Sequence, residues 1–94
     1  MLKKYETIFI IDSEVGEENT KALVEKFKTM LETSAQLENI DEWGKRKLAY
    51  EINDKNEGYY VLANFQAEPN FPAELERVYK ITEGILKYIV INKD

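Results

Sequence analysis

Apolar positions along this chain follow two different periods, and the switches between them predict its elements. From Tyr5 to Ile11, tyrosine, threonine, isoleucine and phenylalanine form a β-branched and aromatic run that ends at the turn-forming pair Asp12-Ser13, as a strand would. The period then becomes helical from about Glu17 to Thr33: Leu23, Phe27, Met30 and Leu31 share one face, Gly16 stands at the N-cap position, and Glu17 and Glu18 suit the positive end of the helix dipole. Gln36 to Asn53 reads as a long strand bent or bulged at Gly44, followed by a turn at Asp54-Lys55-Asn56-Glu57-Gly58 and a third strand from Tyr59 to Ala67. Pro69 and Pro72 stop that strand, and Asn70 with Pro72 starts a second helix, whose inner side carries Leu75, Val78, Tyr79 and Thr82 and whose end falls at Glu83-Gly84. Ile85 to Asn92 is a final β-rich run.

The resulting order, βαββαβ, predicts an α+β, ferredoxin-like sandwich: a four-stranded antiparallel sheet with both helices on one face. Residues 1–94 make a single domain, without repeat, linker or low-complexity stretch.

The strands are apolar on both faces. Tyr5, Thr7, Phe9 and Ile11 alternate with Ile8 and Ile10, and in the last strand Ile85, Ile89 and Ile91 oppose Leu86, Tyr88 and Val90. Two helices cover only one face of such a sheet. Isolated exposed apolar side chains are ordinary. The sharper reading is a protein partner on the open face, with Ile8, Ile10, Tyr88 and Val90 as its contact residues.

Composition narrows the function classes. The chain has 13 basic and 18 acidic residues, a net charge of −5, and neither histidine nor cysteine. The commonest general base, metal ligand and thiol nucleophile are therefore missing, no glycine-rich phosphate loop is present, and the paired carboxylates lie on a helix face where solvation explains them. No catalytic residue, metal site, cofactor or small-molecule substrate is expected. The apolar run after Lys3 and Lys4 stops at Asp12, too short for a signal segment or a membrane span, so the expectation is a soluble, cytoplasmic protein without a membrane partner.

An acidic domain does not coat nucleic acid indiscriminately, but local cations can still hold phosphates. They gather at Lys3 and Lys4, at Lys45, Arg46 and Lys47, and at Lys87 and Lys93. Charged residues also protect edge strands, and a solvated edge is the plain alternative for any one of them. For Lys45-Arg46-Lys47 the reading here is RNA phosphate contact, since arginine offers a planar fork, lysine a mobile charge, and Trp43 and Tyr50 flank the triplet. Base stacking on the third strand is not expected: Val61 and Asn64 occupy the positions where an RNA-recognition motif places aromatics, and Glu57 replaces its cation.

Gly44-Lys45-Arg46-Lys47-Leu48-Ala49-Tyr50-Glu51-Ile52 resembles the signature of the small-subunit ribosomal protein six family, with the spacing Gly-X-Arg-X-Leu-Ala-Tyr-X-Ile. Lys4-Tyr5-Glu6, Gly58-Tyr59-Tyr60 and Ile85-Leu86-Lys87-Tyr88-Ile89-Val90 resemble its opening, its third strand and its closing strand. Leu86 departs from it, standing where many members carry a second cation. The resemblance implies a non-catalytic protein of the small ribosomal subunit that binds small-subunit ribosomal RNA together with the eighteenth small-subunit protein during assembly of the central domain. On that reading the RNA contacts are Lys3, Lys4, Lys45, Arg46, Lys47 and Lys87. The alternative is a non-enzymatic ferredoxin-like interaction or regulatory module that binds no RNA.

Overall fold

The structure, a computed structural model, describes residues 1–52 and 54–94. Its elements are β1 (Lys3–Asp12), α1 (Glu17–Ser34), β2 (Gln36–Ile52), β3 (Lys55–Ala67), α2 (Phe71–Ile81) and β4 (Ile85–Asn92), with a short 3-10 turn at Ser13–Val15. The strands pair antiparallel in the order β2-β3-β1-β4. This is the ferredoxin-like arrangement the pattern predicts.

Both helices lie on the face formed by Tyr5, Thr7, Phe9 and Ile11 of β1 and by Val61, Ala63, Phe65 and Ala67 of β3, all buried. From α1 come Val24, Phe27 and Leu31, and from α2 Phe71, Leu75 and Tyr79. Phe9, Phe27 and Tyr79 form an aromatic cluster with centroids 4.6–5.4 Å apart, and Tyr88 of β4 stacks on Tyr79 at 5.0 Å. Such contacts add about 0.5–1.5 kcal/mol each beyond the area they bury. The one phenol drawn into this cluster is satisfied: Tyr79 Oη lies 3.0 Å from Thr7 Oγ1, which in turn donates to the Ile89 carbonyl at 2.8 Å. Burial holds the Tyr79 phenol well above the ordinary tyrosine range, and the Thr7 hydrogen bond offsets part of that rise.

Three expectations need correction. The turn expected over 54–58 is mostly strand: Ile52 pairs with Lys55, Asp54 at φ 63° makes the reversal, and Gly58 stands in the ladder opposite Asp12 and Arg46. Asn53, the expected last residue of the second strand, lies outside the described residues. The second helix stops at Ile81 instead of Glu83, because the Thr82 backbone is extended and its hydroxyl donates to the Val78 carbonyl.

The third correction concerns Tyr88 and Val90. They pair with Phe9 and Thr7, and residues paired directly across antiparallel strands share a face, so both lie on the helix side. Ile85, opposite Ile11, is on that side too, because a bulge at Leu86 shifts the register and breaks the alternation on which the sequence reading rested. The β4 residues beside Ile8 and Ile10 on the open face are Lys87, Ile89 and Ile91.

Candidate protein-partner groove and basic edge

On the face away from the helices β2 departs from a plain strand. Gly44, at φ 85°, sits just past a shift in pairing between Glu42 and Gly44, a backbone conformation that glycine adopts without strain. A larger irregularity follows: Lys47 pairs with Glu57 and Ile52 with Lys55, so Leu48–Glu51 stand against the single residue Asn56. These extra residues form an arch, and the arch turns onto the open face.

Beneath and beside it is a groove of about 240 Å³ lined by Ile8, Ile10, Trp43, Leu48, Tyr60 and Ile89, with Ala49, Tyr50, Ile52, Lys87 and Tyr88 completing its border. Ile8 and Ile10 of the central strand β1 form its floor, on the open face. Ile10 is only 7% exposed although no helix covers it, because Gly58 and Leu48 close over its side chain. Tyr60 stacks with Trp43 at 6.2 Å. Tyr50, 59% exposed, reaches from the arch to the opposite edge of the sheet, where its hydroxyl accepts a hydrogen bond from Lys87 Nζ.

This geometry accounts for the motif. Leu48, Ala49, Tyr50 and Ile52 all line the groove, Gly44 makes the first irregularity, and the Arg46 guanidinium lies 5.6 Å from the centroid of the Trp43 ring. The residues read from sequence as a basic bend therefore also build an apolar surface. Sequence reasoning missed Leu48, Ala49, Ile52, Tyr60 and Ile89 as groove residues. For the first three the spacing of the motif was the available signal.

The six cations expected to meet RNA do not form one patch. Arg46 pairs with Gly58 and Lys87 with Ile10, which puts both on the open face. Lys45 pairs with Tyr59, itself opposite Ile11, and so lies on the helix side, and Lys47 follows the same parity. Lys45 borders a depression with Ser13, Gly16, Glu17, Thr20 and Tyr59. The Tyr59 hydroxyl donates to Glu42 at 2.7 Å, a bond that raises its pKa above the ordinary value. Lys4 lies opposite Gln66 on the open face, at the end of the sheet away from the arch, while Lys3, opposite Ala67, faces the helix side. The alternation of a strand has split each consecutive run between two surfaces.

Among the described residues no group of three or more acidic side chains is placed to hold a metal ion, and no helix is long and apolar enough to cross a membrane.

Comparison with known proteins places these features in a family. Residues 4–92 match the family described as Ribosomal protein S6. The chain is 52% identical to small ribosomal subunit protein bS6 of Clostridium novyi (strain NT) and 49% identical to that of Caldanaerobacter subterraneus subsp. tengcongensis, covering 99% of each protein and of itself. Among solved structures it superposes on 30S ribosomal protein S6 of Thermotoga maritima with a TM-score of 0.92 and 33% identity, over 99% of this chain and 89% of the other. The C-terminal domain of the MgtC protein of Mycobacterium tuberculosis, at TM-score 0.58 and 15% identity, shares the fold alone.

Proposed function

The chain belongs to the ribosomal protein S6 family, structural and non-enzymatic proteins of the small ribosomal subunit, and from that premise we propose that it binds small-subunit ribosomal RNA jointly with the eighteenth small-subunit protein. The observation that carries this reading is the division of its surface: an apolar groove on the open face, and exposed lysines on the other side of the β2 edge. An apolar groove suits a protein side chain, because desolvating aliphatic and aromatic surface drives association and a pocketed anchor dominates the binding energy. Lysines held out from an edge strand suit phosphates, which need charge more than shape.

In the assembled particle Ile8, Ile10 and the β4 residues Ile89 and Ile91 meet the protein partner. Tyr88 and Val90 support that surface from the helix side. Lys45 and Lys47 contact RNA backbone, with Lys3 and Lys4 adding charge near the other end of the sheet. Arg46 and Lys87, expected from sequence to meet RNA, border the groove and act there. The protein works in the cytoplasm, within the small subunit.

The test is binding of a small-subunit ribosomal RNA fragment across a salt series, with and without the eighteenth small-subunit protein. Joint binding that weakens when Ile8 becomes glutamate, with a salt slope that falls when Lys45 or Lys47 becomes alanine, is the expected result. The net charge of −5 favours a second reading, an interaction module without RNA contact. Partner binding that persists while the lysine variants leave RNA affinity and slope unchanged would establish that reading instead.

A further inference from the structure

The groove has an electrostatic character opposite to that of the chain around it. None of the residues lining it is a carboxylate, although the chain carries 18 and Asp41 beside it accepts a hydrogen bond from Trp43 Nε1 at 3.2 Å, and two exposed cations stand at its rim. Arg46 comes from β2 and Lys87 from β4, the two edge strands of the sheet. Each cation lies over an aromatic ring of the rim, Arg46 5.6 Å from the Trp43 centroid and Lys87 4.9 Å from that of Tyr50. A ring attracts a cation through its quadrupole without neutralising it. Neither Arg46 nor Lys87 meets a carboxylate among the described residues, whereas Lys55, Arg77 and Lys93 do.

Size points to what enters. A cavity of about 150 Å³ lined by aliphatic side chains is enough for benzene, so about 240 Å³ accommodates one aromatic ring or branched aliphatic group with its backbone outside. Trp43 is an unsuitable platform for a nucleobase, because its ring is already engaged by Tyr60 and by Arg46.

We propose that the groove receives a single large apolar side chain from an extended segment of the partner protein, and that Arg46 and Lys87 read carboxylates flanking that side chain. This rests on the groove being the protein interface and adds the chemistry of what fills it. The apolar anchor supplies affinity. The two cations, one at each edge of the sheet, select segments with acid on either side and disfavour segments with lysine or arginine there.

Trp43 is the only tryptophan of the chain and stands in the groove, so its emission reports occupancy. Blocked pentapeptides with a central leucine, flanked on both sides by aspartate, asparagine or lysine, are titrated into the full chain at low salt and at about 1 M salt, where charge is screened within a few ångströms. The aspartate-flanked peptide should bind about two- to thirtyfold tighter than the asparagine-flanked one, the range for two exposed ion pairs. The lysine-flanked peptide should bind weakest. The aspartate advantage should shrink at high salt and disappear in the folded Arg46→Gln/Lys87→Gln double variant. Equal binding of all three peptides would overturn the carboxylate reading and leave the groove as the protein interface. If no peptide moves the Trp43 emission at millimolar concentration, or a single-stranded ribonucleotide moves it where peptides do not, both fall.

Discussion

Replacing Gly58 by alanine tests the groove floor with one methyl group. Gly58 is buried in the ladder and needs no positive φ, so the backbone tolerates a side chain and the added Cβ alone decides the outcome. That Cβ would stand 2.3 Å from Ile10 Cγ2, 3.4 Å from the Ile11 carbonyl oxygen and 3.6 Å from Leu48 Cδ2. The last two are tolerable, but the first is impossible without movement. Cγ2 is attached at the branch point of a β-branched side chain, so relief requires a change of χ1 in a residue that is 7% exposed. Overpacking of this kind costs about 1–3 kcal/mol, against about 0.4–1 kcal/mol recovered from the reduced freedom of the unfolded chain. Gly58→Ala should therefore destabilise by up to about 2.6 kcal/mol, with about 1 kcal/mol or more expected from so short an approach. Ile10→Ala removes the clashing carbon, so in that background the same substitution should be neutral or slightly stabilising. Urea unfolding of the four proteins of the cycle measures the coupling directly. Additive effects, with Gly58→Ala costing as much beside Ala as beside Ile at position 10, would refute the close approach and the covered floor inferred from it.

Reversing the face assigned to β4 separates two otherwise similar substitutions. Ile89→Glu should fold normally and weaken partner assembly by tenfold or more, whereas Val90→Glu, opposite Thr7 on the helix side, should lose about 2 kcal/mol or more of stability; circular dichroism and pull-down of the partner check both. Lys45→Ala and Lys47→Ala should each lower the log-log salt slope of RNA binding by roughly 0.7–0.9, read from affinities at several salt concentrations, and an unchanged slope would make them a solvated edge. Tyr79→Phe should cost about 0.5–1.5 kcal/mol at neutral pH through the lost bond to Thr7. Because the folded Tyr79 pKa lies above that of the unfolded chain, the stability linked to it is fully present below about pH 10 and lost above it at ~1.4 kcal/mol per pH unit until the folded pKa is reached; the Phe variant, unfolded by urea at increasing pH, should lack this decline.

Element order and most boundaries were legible because periodicity and punctuation agree: Gly16 before α1, the prolines around α2, alternation along β1. What alternation cannot reveal is an inserted residue. The bulge at Leu86 moves Ile85 to the helix side, and although alternation grouped Tyr88 with Val90 correctly, only the pairing of β4 with β1 says which group the helices cover. The turn composition of 54–58 misled for a related reason, since polar residues and a glycine also suit a hairpin projecting into solvent, and Gly58 is needed there for Ile10 to pack. Trp43 and Tyr50 drew attention by sequence as neighbours of cations, but their placement over a groove depends on pairings of β2 with β3 that no local pattern encodes. Val24 was missed as a core residue because Leu23 fits the same helical stripe; only packing decides which of two adjacent positions is buried more deeply.

The arch of β2 gives the groove two sides of unequal stiffness. Its floor belongs to β1, held by neighbours on both flanks, and so opens only when the whole sheet does; Leu48–Glu51 have left the ladder and can yield alone. On the proposed reading, in which a partner side chain enters this groove, association would divide in time: the side chain would meet the floor isoleucines first and the arch would settle around it afterwards, so substitutions in the floor should alter the rate of capture and substitutions in the arch the rate of escape. A vice with one fixed jaw needs alignment on one side only.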